Sequence, residues 1–159
     1  MDFTKLRRFK QALDAERCGR ILEEGSFGVM SVTGEGGYPY GVPVNYVYSE
    51  GVIYIHSAKE GHKLKAIRKN DKASFTVVLK SDVISEKYTT AYLSVIVFGK
   101  AVEVDGYDEK LYALRALAEK YSSTEPAAGR EREIARHFDK TAIIKIVPEH
   151  ISGKRGLEA

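Results

Sequence analysis

Residues 52–70 read V-I-Y-I-H-S-A-K-E-G-H-K-L-K-A-I-R-K-N, and the rest of the chain is organised around them. Ile53 and Ile55 alternate with Tyr54 and His56, which predicts a strand with one buried face. The lysine-rich half that follows predicts a short basic helix ending near position 70. The stretch therefore predicts a strand that passes through a tight junction into a helix.

The junction between these two elements carries small and basic residues. Ser57, Ala58 and Gly61 are small enough to let a ligand approach the backbone closely. A helix N-terminus offers unpaired N–H groups and a partial positive charge, and Lys63 adds a full one. His62 either contacts a bound phosphate or faces water. Two interpretations of Ser57 to Lys63 stay open from the residues alone: a phosphate-binding site, and a surface turn with a solvated lysine.

Length and composition favour a single globular domain over residues 1–159, since 43% of the residues are hydrophobic and 30% are charged. The net charge of +3 arises from 25 basic and 22 acidic residues, an excess too small to imply a nucleic-acid partner. The clearest basic cluster comprises Lys63, Lys65, Arg68, Lys69 and Lys72. Such a run is typical of a solvated helix face, and a basic regulatory protein remains the alternative.

Other features bear on the cellular setting. Cys18 is the single cysteine, which excludes an intramolecular disulfide and favours a reducing compartment. The first ten residues lack the apolar core of a signal peptide, and the longest apolar run, residues 95–98, is too short to span a bilayer. We therefore expect a cytoplasmic protein with no membrane partner and no nucleic-acid partner.

The hydrophobic patterns predict six strands, five of them in close succession and interrupted mainly by one short helix. This arrangement favours a closed or nearly closed antiparallel barrel with peripheral helices over a doubly wound sheet. The strands are expected at residues 26–33, 38–48, from 52 onward, 72–79, 92–104 and 141–147. Gly34 to Gly37 predicts a hairpin turn, and Pro39 and Pro43 predict an edge or bulged strand. The polar residues 80–91 predict a loop.

Two stretches predict well-defined helices. In the first, Asp14 is a suitable N-cap, Cys18, Ile21 and Leu22 form an apolar stripe, and Gly25 follows as a stop. The second spans residues 108–120, and a shorter helix is expected over residues 130–138. Residues 1–13 are basic and are interpreted as an N-terminal arm that docks on a partner surface.

Metal-binding and nucleophilic motifs are weakly represented. The four histidines, at positions 56, 62, 137 and 150, show neither the i, i+4 spacing nor the H-E-x-x-H pattern of metal sites, so no metal ligands are assigned. A single histidine could still be an axial haem ligand. No G-x-S-x-G motif is present, and Cys18 is expected in the core.

Four segments together resemble the FMN-binding split-barrel family related to pyridoxamine 5′-phosphate oxidase, in its nitroimidazole-resistance branch. They are G-Y-P-Y-G-V-P-V-N-Y at 37–46, Y-I-H-S-A-x-x-G-H-K-L at 54–64, S-V-I-V-F-G-K-A at 94–101 and I-S-G-K-R at 151–155. The resemblance implies a six-stranded antiparallel split β-barrel that forms a homodimer with FMN at the interface between the two copies.

The resemblance also implies a set of cofactor-binding residues and a catalytic one. His56 would lie beside the flavin as the catalytic residue. The remaining flavin contacts would be Val42, Pro43, Val44, Asn45, Ser57, Ala58, Gly61, His62 and Lys63, with Ser94 and Val95 supplied by the second copy. Lys154 and Arg155 would lie near the flavin or the substrate entrance.

The resemblance implies an FMN-dependent reduction of small nitro-aromatic or heterocyclic compounds. Since no side chain here can carry two electrons reversibly, the flavin would do the redox chemistry. Signatures of a vitamin B6 oxidase, such as arginines for a substrate phosphate, are not visible in the sequence. Two alternatives remain open: a flavin- or haem-binding module without turnover of its own, and an oxidase of the pyridoxamine-phosphate type.

Overall fold

The computed structural model describes residues 2–156, which form one antiparallel sheet of eight strands together with four α-helices. The strands are β1 (Ala12–Leu13), β2 (Gly28–Thr33), β3 (Pro39–Val44), β4 (Val47–Ser49), β5 (Val52–Ala58), β6 (Lys72–Ile84), β7 (Thr89–Glu103) and β8 (Thr141–Arg155). The helices are α1 (Ala15–Glu24), α2 (His62–Lys69), α3 (Tyr107–Ser122) and α4 (Ala127–His137).

The strand order shows that the sheet is rolled into a barrel. Seven strands follow the order β3-β2-β6-β7-β8-β5-β4, so β3 and β4 lie at opposite edges. In a flat sheet of that width, the two edges would be about 28 Å apart. Val44 and Val47 end one edge strand and begin the other, and a three-residue step spans at most about 11 Å. The sheet must therefore curl until its two edges lie close together at this step, although β3 and β4 do not pair.

The prediction of six strands was wrong in number, because residues 2–156 form eight. The segment expected as one strand over 38–48 is divided at Asn45 and Tyr46 into β3 and β4, which pair with different neighbours, β2 and β5. The short strand β1 adds to β8 through the pairs Ala12–Lys154 and Leu13–Gly153. The prediction that the Pro39–Pro43 segment is an edge strand is confirmed.

The predicted loop at residues 80–91 was also wrong. Most of this segment extends β6 and β7 into a long hairpin that pairs as far as Ile84 and Thr89. The register shifts between Val78 and Lys80, and Tyr88 turns the chain with a φ of 51°. Residues 81–83 are exposed, so the hairpin tip has no apolar face from which sequence periodicity could have identified it.

The barrel interior is apolar and is closed at its two ends by helices. Tyr46, Phe75 and Ile144 are among the fully buried core side chains. Helix α1 begins as predicted at its N-cap Asp14, whose side chain accepts a hydrogen bond from the N–H of Arg17 at 2.8 Å, and Cys18 is buried. Because α1 precedes β2 and α2 lies where β2 ends at Thr33, the two helices cover opposite ends of the barrel.

Helices α3 and α4 lie outside the barrel. Ala113 and Leu117 of α3 pack against Tyr54 and Ile143 on the outer surface of β5 and β8. Helix α4 packs on α3, where the Arg115 guanidinium binds the Glu131 carboxylate at 2.8 Å. None of the helices within residues 2–156 has the length and apolarity needed to cross a membrane.

Candidate functional site

The junction between β5 and α2 has an open helix N-terminus. Gly61 is the N-cap of α2 and has a φ of +148°, a value that L side chains rarely adopt. A Cβ placed there would meet no heavy atom of another described residue within 4 Å, so the side of Gly61 toward which a side chain would point is open. No side chain among residues 2–156 caps α2, which leaves its first backbone N–H groups for water or a ligand.

The charge of α2 is unbalanced. The helix sequence H-K-L-K-A-I-R-K contains no acidic residue. Arg68 is neutralised by Glu103 at 2.8 Å, whereas Lys63 has no hydrogen bond or ion pair among residues 2–156. Lys63 is half-buried and lies in the first turn, where a positive charge opposes the helix dipole. An anion at this end would offset both effects.

The predicted residues at the end of β5 lie directly before this N-terminus. His56 is exposed and pairs with Ile143 of β8. The Ser57 hydroxyl donates to the carbonyl oxygen of Ala58 at 3.0 Å, and Ala58 is exposed opposite Thr141. His62 is exposed at the first position of α2, with its Nε2 3.8 Å from the Glu35 carboxylate. The chain thus brings the predicted phosphate-binding residues together at one end of the barrel.

The predicted residues of β3 divide between the two faces of the strand. Val42 and Val44 pack against the barrel core, while Pro43 and Asn45 are exposed. The Asn45 side-chain amide donates to the carbonyl oxygen of Ser26 at 3.1 Å, which leaves its own oxygen available. Because β3 is an edge strand, the backbone on its outer side has no neighbouring strand among residues 2–156.

Ser94 and Val95 lie far from the junction within one chain. Val95 is fully buried in the barrel, so only its backbone can contact a ligand, whereas Ser94 is half-exposed opposite Val78 and Lys154. They precede Glu103, the last residue of β7, by eight or nine positions, a distance of about 30 Å along the strand. The α2 end of the barrel corresponds to the Glu103 end of β7.

A pocket of about 430 Å³ lies between α2 and the β2–β3 hairpin, beside the α2 N-terminus. Its walls include Glu35, Tyr38, Tyr40, His62, Lys65 and Lys69. Of these, only His62 was predicted to belong to a site. The signal in the sequence was the spacing of His62, Lys65 and Lys69, which places all three on one helix face. The closeness of the predicted turn at Gly34 to that face could not be inferred from sequence.

Beneath α3, a polar cluster shares the face of β5 that bears His56. The Glu109 carboxylate binds the Lys145 ammonium at 2.9 Å and accepts a hydrogen bond from the Tyr54 hydroxyl at 3.1 Å. Burial, together with that hydrogen bond, raises the pKa of Tyr54 to about 12. Tyr54 therefore stays protonated at neutral pH and serves to hold α3 on the barrel.

The other residues singled out by sequence lie away from the junction. The Lys154 ammonium is 5.7 Å from the centre of the Tyr92 ring, and Arg155 is exposed beside Leu93. Within the described part of the chain, no group of three or more histidine, cysteine, aspartate or glutamate residues is arranged to hold a metal ion.

Comparison with known proteins assigns the family. A model of the pyridoxamine 5′-phosphate oxidase family matches residues 14–155, which is most of the sequence. The chain belongs to the pyridoxamine 5′-phosphate oxidase family. The family membership confirms the resemblance found in the sequence motifs, and the rolled antiparallel sheet is consistent with a split barrel. No curated protein matches the sequence.

Solved structures share this fold at low sequence identity. A proposed 5-nitroimidazole antibiotic resistance protein from Bacteroides thetaiotaomicron superposes with a TM-score of 0.77 at 22% identity, covering 91% of this chain and 86% of that one. An FAD-binding protein from Mesorhizobium loti gives 0.68 at 23% identity, covering 91% and 96%. A flavocytochrome from Azotobacter vinelandii superposes with a TM-score of 0.77 at 18% identity, covering 96% of this chain and 72% of that one. These matches establish the family fold.

Proposed function

We propose that this member of the pyridoxamine 5′-phosphate oxidase family is an FMN-binding oxidoreductase. The observation that carries the proposal is the uncapped N-terminus of α2, where Gly61 opens the approach and Lys63 lies without a partner among residues 2–156. Unpaired N–H groups and a lysine are the donors that a phosphate requires. Similar folds in an FAD-binding protein and a flavocytochrome support a flavin as the bearer of that phosphate.

The residues around the junction divide the work of binding. Ser57, His62 and Lys63 would hold the phosphate, with Ala58 and Gly61 leaving space for it. The exposed edge of β3 would face the polar edge of the flavin ring, where free backbone groups and the Asn45 oxygen can form hydrogen bonds. When bound, the flavin supplies the two-electron redox chemistry. The exposed imidazole of His56 would donate a proton to the substrate group that is being reduced.

A homodimer is part of the proposal, because one chain holds the predicted site in two distant halves. Ser94 lies about 30 Å along the sheet from the α2 end. The outer face of β7 around it is apolar and exposed at Ile96 and Phe98, and Val78 extends this surface onto β6. A second copy placed on this face would cover it and bring Ser94 and the backbone of Val95 to the first copy's junction.

A small nitro-aromatic or heterocyclic compound is the proposed substrate class. The similarity to a proposed 5-nitroimidazole antibiotic resistance protein supports it. An alternative is a flavin- or haem-binding module without turnover, which the fold similarity to a flavocytochrome supports. Family membership supports a third activity, the oxidation of pyridoxamine phosphate.

The proposal is tested by the visible absorption spectrum of the purified protein, followed by FMN titration of the protein freed of ligand. Flavin bands, or saturable uptake of added FMN, are expected. Lys63→Ala should weaken FMN binding about tenfold, since a charge-assisted phosphate contact is lost. Arg20→Ala, which removes one positive charge at the opposite end of the barrel, is the matched control and should leave it unchanged.

Turnover of a nitro compound with a reduced nicotinamide donor then separates the alternatives. His56→Ala should lower turnover more than FMN binding, and Lys63→Ala should do the reverse. A Soret band in place of flavin bands would favour the haem alternative, and bound flavin without turnover would favour the module. A colourless protein that does not bind FMN would overturn the proposal.

A further inference from the structure

The pocket between α2 and the β2–β3 hairpin is a second candidate binding site, adjoining the first. At about 430 Å³ it is large enough for a small organic ligand. His62 lines this pocket and is also the first residue of α2, so a ligand at the helix N-terminus can continue into it. Nothing in the roles assigned above uses the other residues of the pocket.

The charge of the pocket favours an anion. Lys65 and Lys69 lie four residues apart on one face of α2, where like charges repel each other. Neither ammonium has a hydrogen bond or ion pair among residues 2–156, although Glu35 lies in the same pocket. The Glu35 carboxylate is directed at His62, with its Oε2 3.8 Å from the imidazole Nε2. Phosphate groups would relieve the repulsion between the lysines.

The walls of the pocket also present aromatic rings. Tyr38 is 77% exposed although it is a large aromatic residue, and it follows a turn in which Gly36 and Gly37 both have positive φ. The Tyr40 ring lies 5.7 Å from the His62 ring at an angle of 45°. An exposed ring (Tyr38) and a half-buried ring (Tyr40) beside unpaired lysines form a combination that can bind a nucleobase together with its phosphates.

We propose that this pocket binds an adenosine phosphate moiety, which is either the adenylate half of FAD or the adenylate half of a nicotinamide dinucleotide donor. Lys65 and Lys69 would bind the phosphates, the tyrosine rings would stack on the base, and Glu35 would accept hydrogen bonds from ribose hydroxyls. The first source rests on the proposed flavin site, because the FMN half of FAD would occupy the junction. The second source uses the pocket by itself.

The experiment compares the binding of FMN, FAD and ADP to the ligand-free protein, and of ADP and NADPH to the FMN-loaded protein, by calorimetry. If the source is FAD, it should bind at least about tenfold more tightly than FMN, because added phosphate contacts and base stacking favour it. The double variant Lys65→Gln/Lys69→Gln should remove that advantage without changing FMN affinity. The control Arg17→Gln/Arg20→Gln, on α1 at the opposite end, should leave both affinities unchanged.

The outcomes identify the source and separate this inference from the proposed function. The pocket would be assigned to the nicotinamide donor if two results are found together. FMN and FAD would bind with equal affinity, and NADPH would bind to the FMN-loaded protein but not to the FMN-loaded Lys65→Gln/Lys69→Gln variant. ADP binding that depends on the two lysines, with no FMN binding, would overturn the flavin proposal and leave the pocket proposal standing. FMN binding with no FAD preference and no binding of ADP or NADPH would overturn the pocket proposal alone.

Discussion

The C-terminus of α1 and the N-terminus of α2, at opposite ends of the barrel, differ in how their free backbone groups are hydrogen-bonded. At the C-terminus of α1, distant side chains satisfy the backbone carbonyls: the Tyr46 hydroxyl donates to Leu22 at 2.6 Å, and the Lys120 ammonium donates to Gly25 at 2.5 Å. At the N-terminus of α2, no side chain of the described residues supplies an acceptor, and the N-cap Gly61 carries no side chain that could do so.

The difference is the one expected if the α1 end contributes stability and the α2 end binds the proposed ligand. Lys120 is a cation at a helix C-terminus and lies 4.0 Å from the centre of the Tyr46 ring, both of which are favourable placements. Lys63 is a cation at a helix N-terminus, which is unfavourable until an anion arrives. The α2 N-terminus, uncapped and with Lys63 unpaired among residues 2–156, is therefore the end at which we propose that the ligand binds.

The largest effect is expected at the α1 end of the barrel, from the substitution Tyr46→Phe. The substitution removes only a hydroxyl, but that hydroxyl satisfies the buried Leu22 carbonyl in the last turn of α1. An unsatisfied buried acceptor costs about 1–3 kcal/mol. We expect urea unfolding to show a free energy of unfolding lower by about 2 kcal/mol, with an unchanged dependence on urea concentration.

Tyr38→Phe is the matched control, since it removes the same hydroxyl group at the α2 end of the barrel, where Tyr38 is exposed. Its effect should stay within about 0.5 kcal/mol of zero. Equal losses in the two variants would contradict the distinction between the ends.

A smaller effect should appear in the pH dependence of stability. Burial lowers the pKa of Lys120 to about 8 from its ordinary 10.5. Between these two values the unfolded chain binds more protons than the folded one, so this lysine makes stability rise as the pH increases. Burial raises the pKa values of Cys18 and Tyr46, which act in the opposite sense at higher pH.

The variant Lys120→Met isolates the lysine, because it keeps both Cys18 and Tyr46. The free energy of unfolding is measured at pH 7.5 and at pH 9.5 for both proteins. The value at pH 9.5 minus the value at pH 7.5 should be more positive for the unmodified protein than for the variant. The same change with pH in both proteins would show that Lys120 keeps an ordinary pKa in the fold.

The fold was predictable wherever one face of an element is buried. The apolar stripe of Cys18, Ile21 and Leu22 with its Asp14 cap indicated α1, and alternation indicated β5. Residues 81–83 pair with β7 through their backbones, but their side chains are all exposed. Because neither face of this segment is buried, hydrophobic periodicity could not identify it as a strand. The division of the 38–48 segment was hidden for another reason: both of its halves are extended, and only their partners differ.

The candidate site was predictable where its residues are consecutive in sequence. His56 to Lys63 lie within one junction, and local chemistry there suggested a phosphate site without deciding between it and a surface turn with a solvated lysine. The pocket beside it depends on Tyr38 and Tyr40 meeting Lys65 and Lys69 across a barrel end, which follows from β2–β3 pairing and the packing of α2 on β2. Long-range pairing of that kind leaves no periodic trace in either segment.

The smallest effect is expected on the stability of the ligand-free protein, from a substitution in α2. Lys65→Gln removes one member of the like-charged Lys65–Lys69 pair, so the variant should be more stable than the unmodified protein by about 0.3 kcal/mol at low salt. At 1 M salt the gain should disappear, because screening weakens the repulsion in both proteins. Arg68→Gln is the control on the same helix: Arg68 binds Glu103 at 2.8 Å, so its loss should not stabilise the protein. Thermal unfolding of both variants at the two salt concentrations measures the difference. A Lys65→Gln variant no more stable than Arg68→Gln at low salt would mean that the lysines do not repel each other, and that an anion has no repulsion to relieve there.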